Sequence, residues 1–147
     1  YLDHPVVPLD RTVANFNVEM IGRPDSLAGG PGAVWLTGFE RSTLGAMLRE
    51  AGIPIVPDPR PDQHFFERSD NYAFARRGVV AHTLSTYDLH SDYHRPSDEA
   101  RFTNPAHMVQ VIGAAVRAVR LLADGPAPQW APGGNPAEQT PRRPGGP

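Results

Sequence analysis

Cysteine is absent from the 147 residues. A disulfide scaffold and a thiolate zinc site are therefore excluded, although the compartment stays open. Basic excess is absent too. Lys and Arg number 14 against 16 Asp and Glu, giving a net charge of −2 and a pI near 6.3. Nothing in that balance would neutralise a phosphate backbone, so no nucleic-acid partner is expected. No uninterrupted apolar run approaches the roughly 18 residues of a membrane helix. The sequence opens on Tyr1, and no positively charged and then apolar leader pattern follows. What is abundant is proline and glycine: 17 and 14 residues, about a fifth of the chain against roughly 12% in average proteins.

Much of that excess lies at the C-terminal end. Residues 125–147 hold seven Pro and five Gly, and Trp130 is the only large apolar side chain among them. Such a composition buries too little surface to offset its ordering entropy, which predicts a disordered tail after an ordered region 1–124. At the other end, residues 12–21 carry Val13, Phe16, Val18 and Ile21 among polar neighbours, and Gly22 and Pro24 stop the run. That pattern predicts a strand. A buried strand so near Tyr1 suggests a chain that starts inside a domain.

Between the ends, Ala33–Thr37 reads as a short buried strand. Ser42 is placed to cap a helix with Leu44, Met47, Leu48 and Ala51 at helical spacing and Gly52 as its stop. The prolines around Ile53–Pro57 allow an edge strand at best. Val79–Leu84 is another short strand. Asn104-Pro105 then opens the strongest helix, with Asn as cap and Pro in the first turn. Its apolar stripe is Met108, Val111, Ile112, Ala115, Val119 and Leu122. Strands alternating with helices predict an α/β sheet.

Chemistry-bearing residues concentrate in 85–99, directly after the 79–84 strand. Sites in open α/β sheets gather outside the C-terminal ends of strands. His94 in this segment is a candidate metal ligand, or a solvated loop histidine. Glu19 stands inside the first strand, on the face that Asn17 and Ile21 share. It is either a ligand or a solvent-facing carboxylate. Carboxylates and neutral imidazoles are both good zinc ligands.

Three segments stand out: Asn15-Phe16-Asn17-Val18-Glu19-Met20-Ile21-Gly22-Arg23, then residues 68–75, then residues 92–98. Taken together they resemble the family-28 metallopeptidases, the co-catalytic zinc aminopeptidases, the first being similar to their "N-x-N-x-D/E-M-x-G-R" strand. Arg68-Ser69-Asp70-Asn71-Tyr72-Ala73-Phe74-Ala75 resembles "R-S-D-H-x-x-F-A", with Asn71 in place of the frequent histidine. Asp92-Tyr93-His94-Arg95-Pro96-Ser97-Asp98 resembles "D-Y-H-x-P-x-D". The resemblance covers about residues 5–123.

It implies a mixed, mainly parallel sheet flanked by helices, and in the complete domain a pair of zinc ions, Zn2+, acting on a peptide substrate. Glu19 would be a ligand of one zinc and His94 of the other. Tyr93 would stabilise the oxyanion, Asp70 would stand beside the site, and Asp98 would orient His94 through its free ring nitrogen. The family's His-x-Asp and Glu-Glu pairs lie upstream of the Glu19 strand. Here only Asp3, His4 and Asp10 precede it with relevant chemistry. The resemblance therefore implies the C-terminal part of the catalytic domain, inactive as a peptidase when alone, and a secreted or cell-envelope location. Two alternatives stand beside that reading: a non-catalytic interaction module, and a glutaminyl-cyclase-like enzyme using one zinc on the same fold.

Overall fold

The computed structural model describes residues 1–139. Four strands form one sheet: β1 (Asn15–Glu19), β2 (Val34–Leu36), β3 (Ile55–Pro57) and β4 (Ala81–Ser85), in the order β1-β4-β2-β3. β1 runs parallel to β4, with Glu19 opposite Ser85, and β2 runs parallel to β3. The β2–β4 pair is antiparallel. The chain is thus α/β, with a mixed, mostly parallel sheet flanked by helices. β3 lies at one edge, as its prolines require.

The central strand β4 is buried along its whole length, yet it reads Ala-His-Thr-Leu-Ser rather than as a continuous apolar run. Buried polar groups need partners, and each of these has one. The His82 ring bonds the Thr37 carbonyl and the Ser42 hydroxyl, both at 2.7 Å. Thr83 Oγ1 donates to Asn71 Oδ1 at 2.8 Å, and Ser85 Oγ accepts from the Tyr87 amide at 3.1 Å. On one sheet face Val34, Leu36 and Leu84 pack with Leu44 and Leu48 of α1 (Leu44–Glu50) and with Val111, Ala114 and Ala118 of α4 (Pro105–Asp124). On the other face lie Trp35 with Phe65, and Ala81 with Phe66 and Ala75. These last residues belong to two short helices, α2 (Phe65–Arg68) and α3 (Asn71–Ala75). The sequence pattern did not predict either helix, because one turn is too short to show a 3.6-residue period.

Two of the three expected caps are present, while Ser42, expected to cap α1, stands one position before the N-cap Thr43 and accepts from the Leu44 amide at 3.2 Å. Asn104 Oδ1 accepts from the His107 amide at 3.0 Å, with Pro105 in the first turn. Gly52 ends α1 in the left-handed region at φ 76°. The buried face of α4 differs from the expected stripe. It runs through His107, Val111, Ala114 and Ala118, whereas Ile112, Val116 and Val119 are about half exposed. The helix is apolar over a wider arc than the described elements cover. Ile112, Ala115, Val116 and Val119 instead line an open groove with Val18 of β1. α4 is also long and apolar enough, by length and composition, to cross a membrane. A search for uninterrupted apolar runs missed this because Arg117 and Arg120 divide the helix.

The C-terminal expectation is corrected through residue 139. Residues 125–139 are packed on the domain, and the rest of the expected tail lies outside the described residues. Trp130 pairs with Ser42 in a β-bridge, and its indole N–H donates to the Gly78 carbonyl at 2.9 Å. The Thr43 amide donates to the Gln129 carbonyl and the Ala131 amide to the Arg41 carbonyl. The single large ring sits against Phe66 and His82. Composition understated the ordering because a single tryptophan ring and a few backbone hydrogen bonds suffice to anchor the segment. A short helix, α5 (Pro136–Gln139), follows.

Candidate functional site

β1 and β4 end side by side, and a cavity of about 350 Å³ opens beyond their C-terminal ends. Glu19, Ser69, Asp70, Ser85, Tyr93 and His94 line it among others. The structure therefore brings together four of the five predicted site residues from segments up to 75 positions apart. A larger hollow of about 490 Å³ lies at the opposite ends of the same strands, between residues 9–13, 77–80 and 127–130, and contains no motif residue.

Glu19 is the last residue of β1. Met20 then takes a left-handed conformation at φ 53°, which turns the chain away at once. Such a conformation is uncommon for a non-glycine residue. Alternation along the strand puts Asn17 on the same face as Glu19, and Asn17 Nδ2 donates to Glu19 Oε2 at 3.0 Å. Ser69 Oγ donates to Glu19 Oε1, also at 3.0 Å. Both carboxylate oxygens are oriented in this way, and each keeps acceptor capacity toward the cavity.

The support continues inward. Asn17 Nδ2 also reaches Thr83 Oγ1 at 3.1 Å, and Thr83 donates to Asn71. Asn71 is fully buried, and its amide group donates to the Phe66 and Ala81 carbonyls. The departure from the family's histidine at Asn71 is thus filled by a residue that joins α2, α3 and β4 beneath Glu19.

The opposite wall comes from the loop after β4. Trp35 stacks on Phe65 at 5.3 Å, Phe65 meets Tyr87 edge-on at 5.8 Å, and Tyr87 lies 4.8 Å from Tyr93. Tyr93 and His94 stack at 3.8 Å. His94 has φ 57°, a second left-handed non-glycine at this cavity. Both Tyr93 and His94 are exposed on the cavity side. Tyr87 has its phenol pKa raised, chiefly by burial and then by the neighbouring Tyr93. It stays a neutral hydroxyl at physiological pH.

Asp70 is exposed at the cavity rim, and its carboxylate makes no hydrogen bond among the described residues. Asp98 corrects the expectation that it orients His94. Its carboxylate accepts from Arg23 Nη2 at 2.7 Å instead, while Arg23 Nη1 takes Asp92 at 3.1 Å. The guanidinium is a stronger donor than a neutral ring N–H, so it captures the carboxylate. Asp92 is held below the ordinary carboxylate range, first by a hydrogen bond from Ser97 and then by Arg23.

Sequence reasoning also missed Ser69 as the partner of Glu19, and the aromatic wall. Asn17 could have been found, two positions before Glu19 on one strand face. Ser69 gives no such signal, because its pairing spans 50 residues.

A carboxylate and an imidazole on one cavity are zinc-type donors. Among the described residues, however, no group of three or more His, Cys, Asp or Glu is arranged to hold a metal ion. The donor types fit and the number is short.

Residues 1–119 match the family model described as Peptidase family M28. The chain belongs to that family, which is generally metal-dependent, and its function is of the peptidase type, a hydrolase. No curated protein and no solved structure matches the chain.

Proposed function

We propose that this chain supplies one wall of the active site of a zinc-dependent aminopeptidase that removes N-terminal residues from peptides. The observation that carries the reading is the meeting of Glu19, Tyr93 and His94 on one cavity at the end of β1 and β4, within a chain of peptidase family M28. Glu19 would hold one zinc through a carboxylate already aligned by Asn17 and Ser69. His94 would hold the other.

Zinc, when bound, lowers the pKa of a water toward neutrality and polarises the scissile carbonyl. This chain's own groups act around that chemistry. The Tyr93 hydroxyl donates toward the oxygen on which negative charge develops, and so favours the transition state over the bound peptide. The wall of Trp35, Phe65 and Tyr87 limits water on that side. Catalytic zinc generally has about three protein ligands. The missing ligands and the general base therefore come from polypeptide outside the described residues, and residues 1–139 alone are inactive.

Zinc content and hydrolysis of an aminoacyl anilide, measured on the full-length protein and on Glu19→Gln and His94→Ala, test the reading. Zinc and activity should fall together in both variants. Full zinc occupancy in both would overturn it. Activity on N-terminal glutaminyl peptides alone, with release of the cyclised product, would select the glutaminyl-cyclase chemistry instead.

A further inference from the structure

The loop from Thr86 to Asn104 carries Tyr93 and His94, yet it has no regular structure beyond turns and one short 3-10 segment. Within it, hydrogen bonds are local: Arg95 to Asp92, Asp98 to Arg95, and Phe102 to Glu99. These close turns but do not fix the loop to the sheet. Arg60 Nη1 donates to the Tyr87 carbonyl at 3.4 Å and the His107 ring meets Thr86 Oγ1 at 3.3 Å, and further connections run to the turn after β1. Thr86 Oγ1 faces the Met20 and Arg23 carbonyls at 3.0 and 2.7 Å, and the Asn104 amide donates to the Gly22 carbonyl at 2.8 Å. These contacts hold the two ends of the loop.

Across its middle, beside the packing of Tyr93 on Tyr87, one side chain supplies the ion pairs. Arg23 spreads its two terminal nitrogens over Asp92 and Asp98, at 3.1 and 2.7 Å, and lays its guanidinium over the Phe102 ring at 4.9 Å. Among the described residues it is the only ion-pair partner that residues 88–99 have outside the loop. The Arg23 side chain is 18% exposed, and those of Asp92 and Asp98 are 23% and 35% exposed. A planar fork suits two carboxylates held at fixed separation, which an ammonium cannot span. Asp92 is two residues before His94, whose left-handed backbone is a conformation an unrestrained histidine rarely keeps.

We propose that Arg23 is a positioning residue: its guanidinium holds the middle of the 86–104 loop so that Tyr93 and His94 stay at the cavity. The role rests on the reading of His94 as a zinc ligand. Arg23 touches neither metal nor peptide. It acts by reducing the number of loop conformations that must be given up when His94 binds, and so raises metal affinity through pre-organisation.

The test uses the full-length protein with Arg23→Ala, Arg23→Lys, Asp92→Asn with Asp98→Asn, and His94→Ala. Two quantities are read: amide hydrogen exchange in residues 88–102, and zinc affinity by chelator competition. Arg23→Ala should speed exchange in 88–102 about tenfold or more, while the amides of β4 and α4 keep their protection. It should also weaken zinc binding by roughly 10–100-fold, the usual range for groups that orient a ligand. Arg23→Lys, reaching one carboxylate at a time, should fall between. The paired Asn variant should reproduce the effect and leaves the partly buried Arg23 in place if its removal harms folding.

Unchanged exchange in 88–102 for both Arg23→Ala and the paired Asn variant would overturn the proposal. So would faster exchange with unaltered zinc affinity while His94→Ala weakens binding. If His94→Ala leaves zinc affinity unaltered as well, the ligand reading fails and carries the proposal with it, a result distinct from the first two.

Discussion

Ser69 donates a 3.0 Å hydrogen bond to Glu19 Oε1 across 50 residues of sequence. The bond ties the junction of α2 and α3 to the end of β1. It also fixes the carboxylate plane, with Asn17 holding the other oxygen. Ser69→Ala removes one of those two donors and leaves Glu19 itself in place. In the full-length protein zinc affinity should fall roughly 10–100-fold, with the melting temperature nearly constant. A zinc titration beside a thermal melt checks this. Unaltered affinity would mean that Asn17 alone orients the carboxylate.

Tyr93 and its neighbour His94 separate by what their variants remove. Tyr93→Phe keeps the ring stacked between Tyr87 and His94 and deletes only the hydroxyl. If that hydroxyl meets the oxyanion, zinc content stays full while kcat falls by about 10²–10³, with KM little changed. Steady-state kinetics with metal analysis decide the matter, and an unchanged kcat would reduce Tyr93 to a packing role.

The first strand, the β4 strand and the cap of α4 were legible in the sequence for physical reasons. β-Branched runs bounded by glycine and proline have few alternatives to a strand, and Asn-Pro fits a helix start. The antiparallel β2–β4 pairing was not legible, because register depends on which strands meet in three dimensions. The stripe of α4 was misassigned since apolar pattern records what can be buried rather than what is covered. The meeting of Glu19, Tyr93 and His94 on one cavity was legible through motif order. The clamp of Arg23 on Asp98 was hidden, because both residues lay inside recognised motifs with nothing to pair them.

Trp130 gives a direct stability measurement. Its ring packs on Phe66 and His82, and its N–H bonds the Gly78 carbonyl. Trp130 is only partly buried, so Trp130→Ala should cost about 2 kcal/mol, below the ~3–5 of a fully buried tryptophan. Trp130→Phe keeps most of the ring contact and loses the hydrogen bond, about 1 kcal/mol. Urea unfolding of both variants checks the order, and a silent Trp130→Ala would restore the expectation of an unanchored tail.

His82 makes folding sensitive to acid. Burial pushes its pKa down from 6.5 to about 4, against the Thr37 carbonyl, which favours the charged ring. Between those two values the unfolded chain binds a proton that the folded chain does not. The stability this group contributes is therefore full above about pH 6.5 and lost as pH falls toward 4, by roughly 3 kcal/mol. Stability curves of wild type and His82→Gln from pH 7 to 4 isolate the effect. The gap between the two should narrow with acid, and a constant gap would show that His82 does not titrate in this window.

The outer edge of β1 is unpaired among the described strands, and it adjoins the apolar groove of Val18, Ile112, Val116 and Val119. An open row of backbone donors and acceptors is a template for cross-β association. Here it lies beside exposed valines, with Arg120 the charged residue lining the groove. Residues 1–139 expressed alone therefore present a flank open to pairing with another strand, and a net charge of only −2 for the chain gives little repulsion against it.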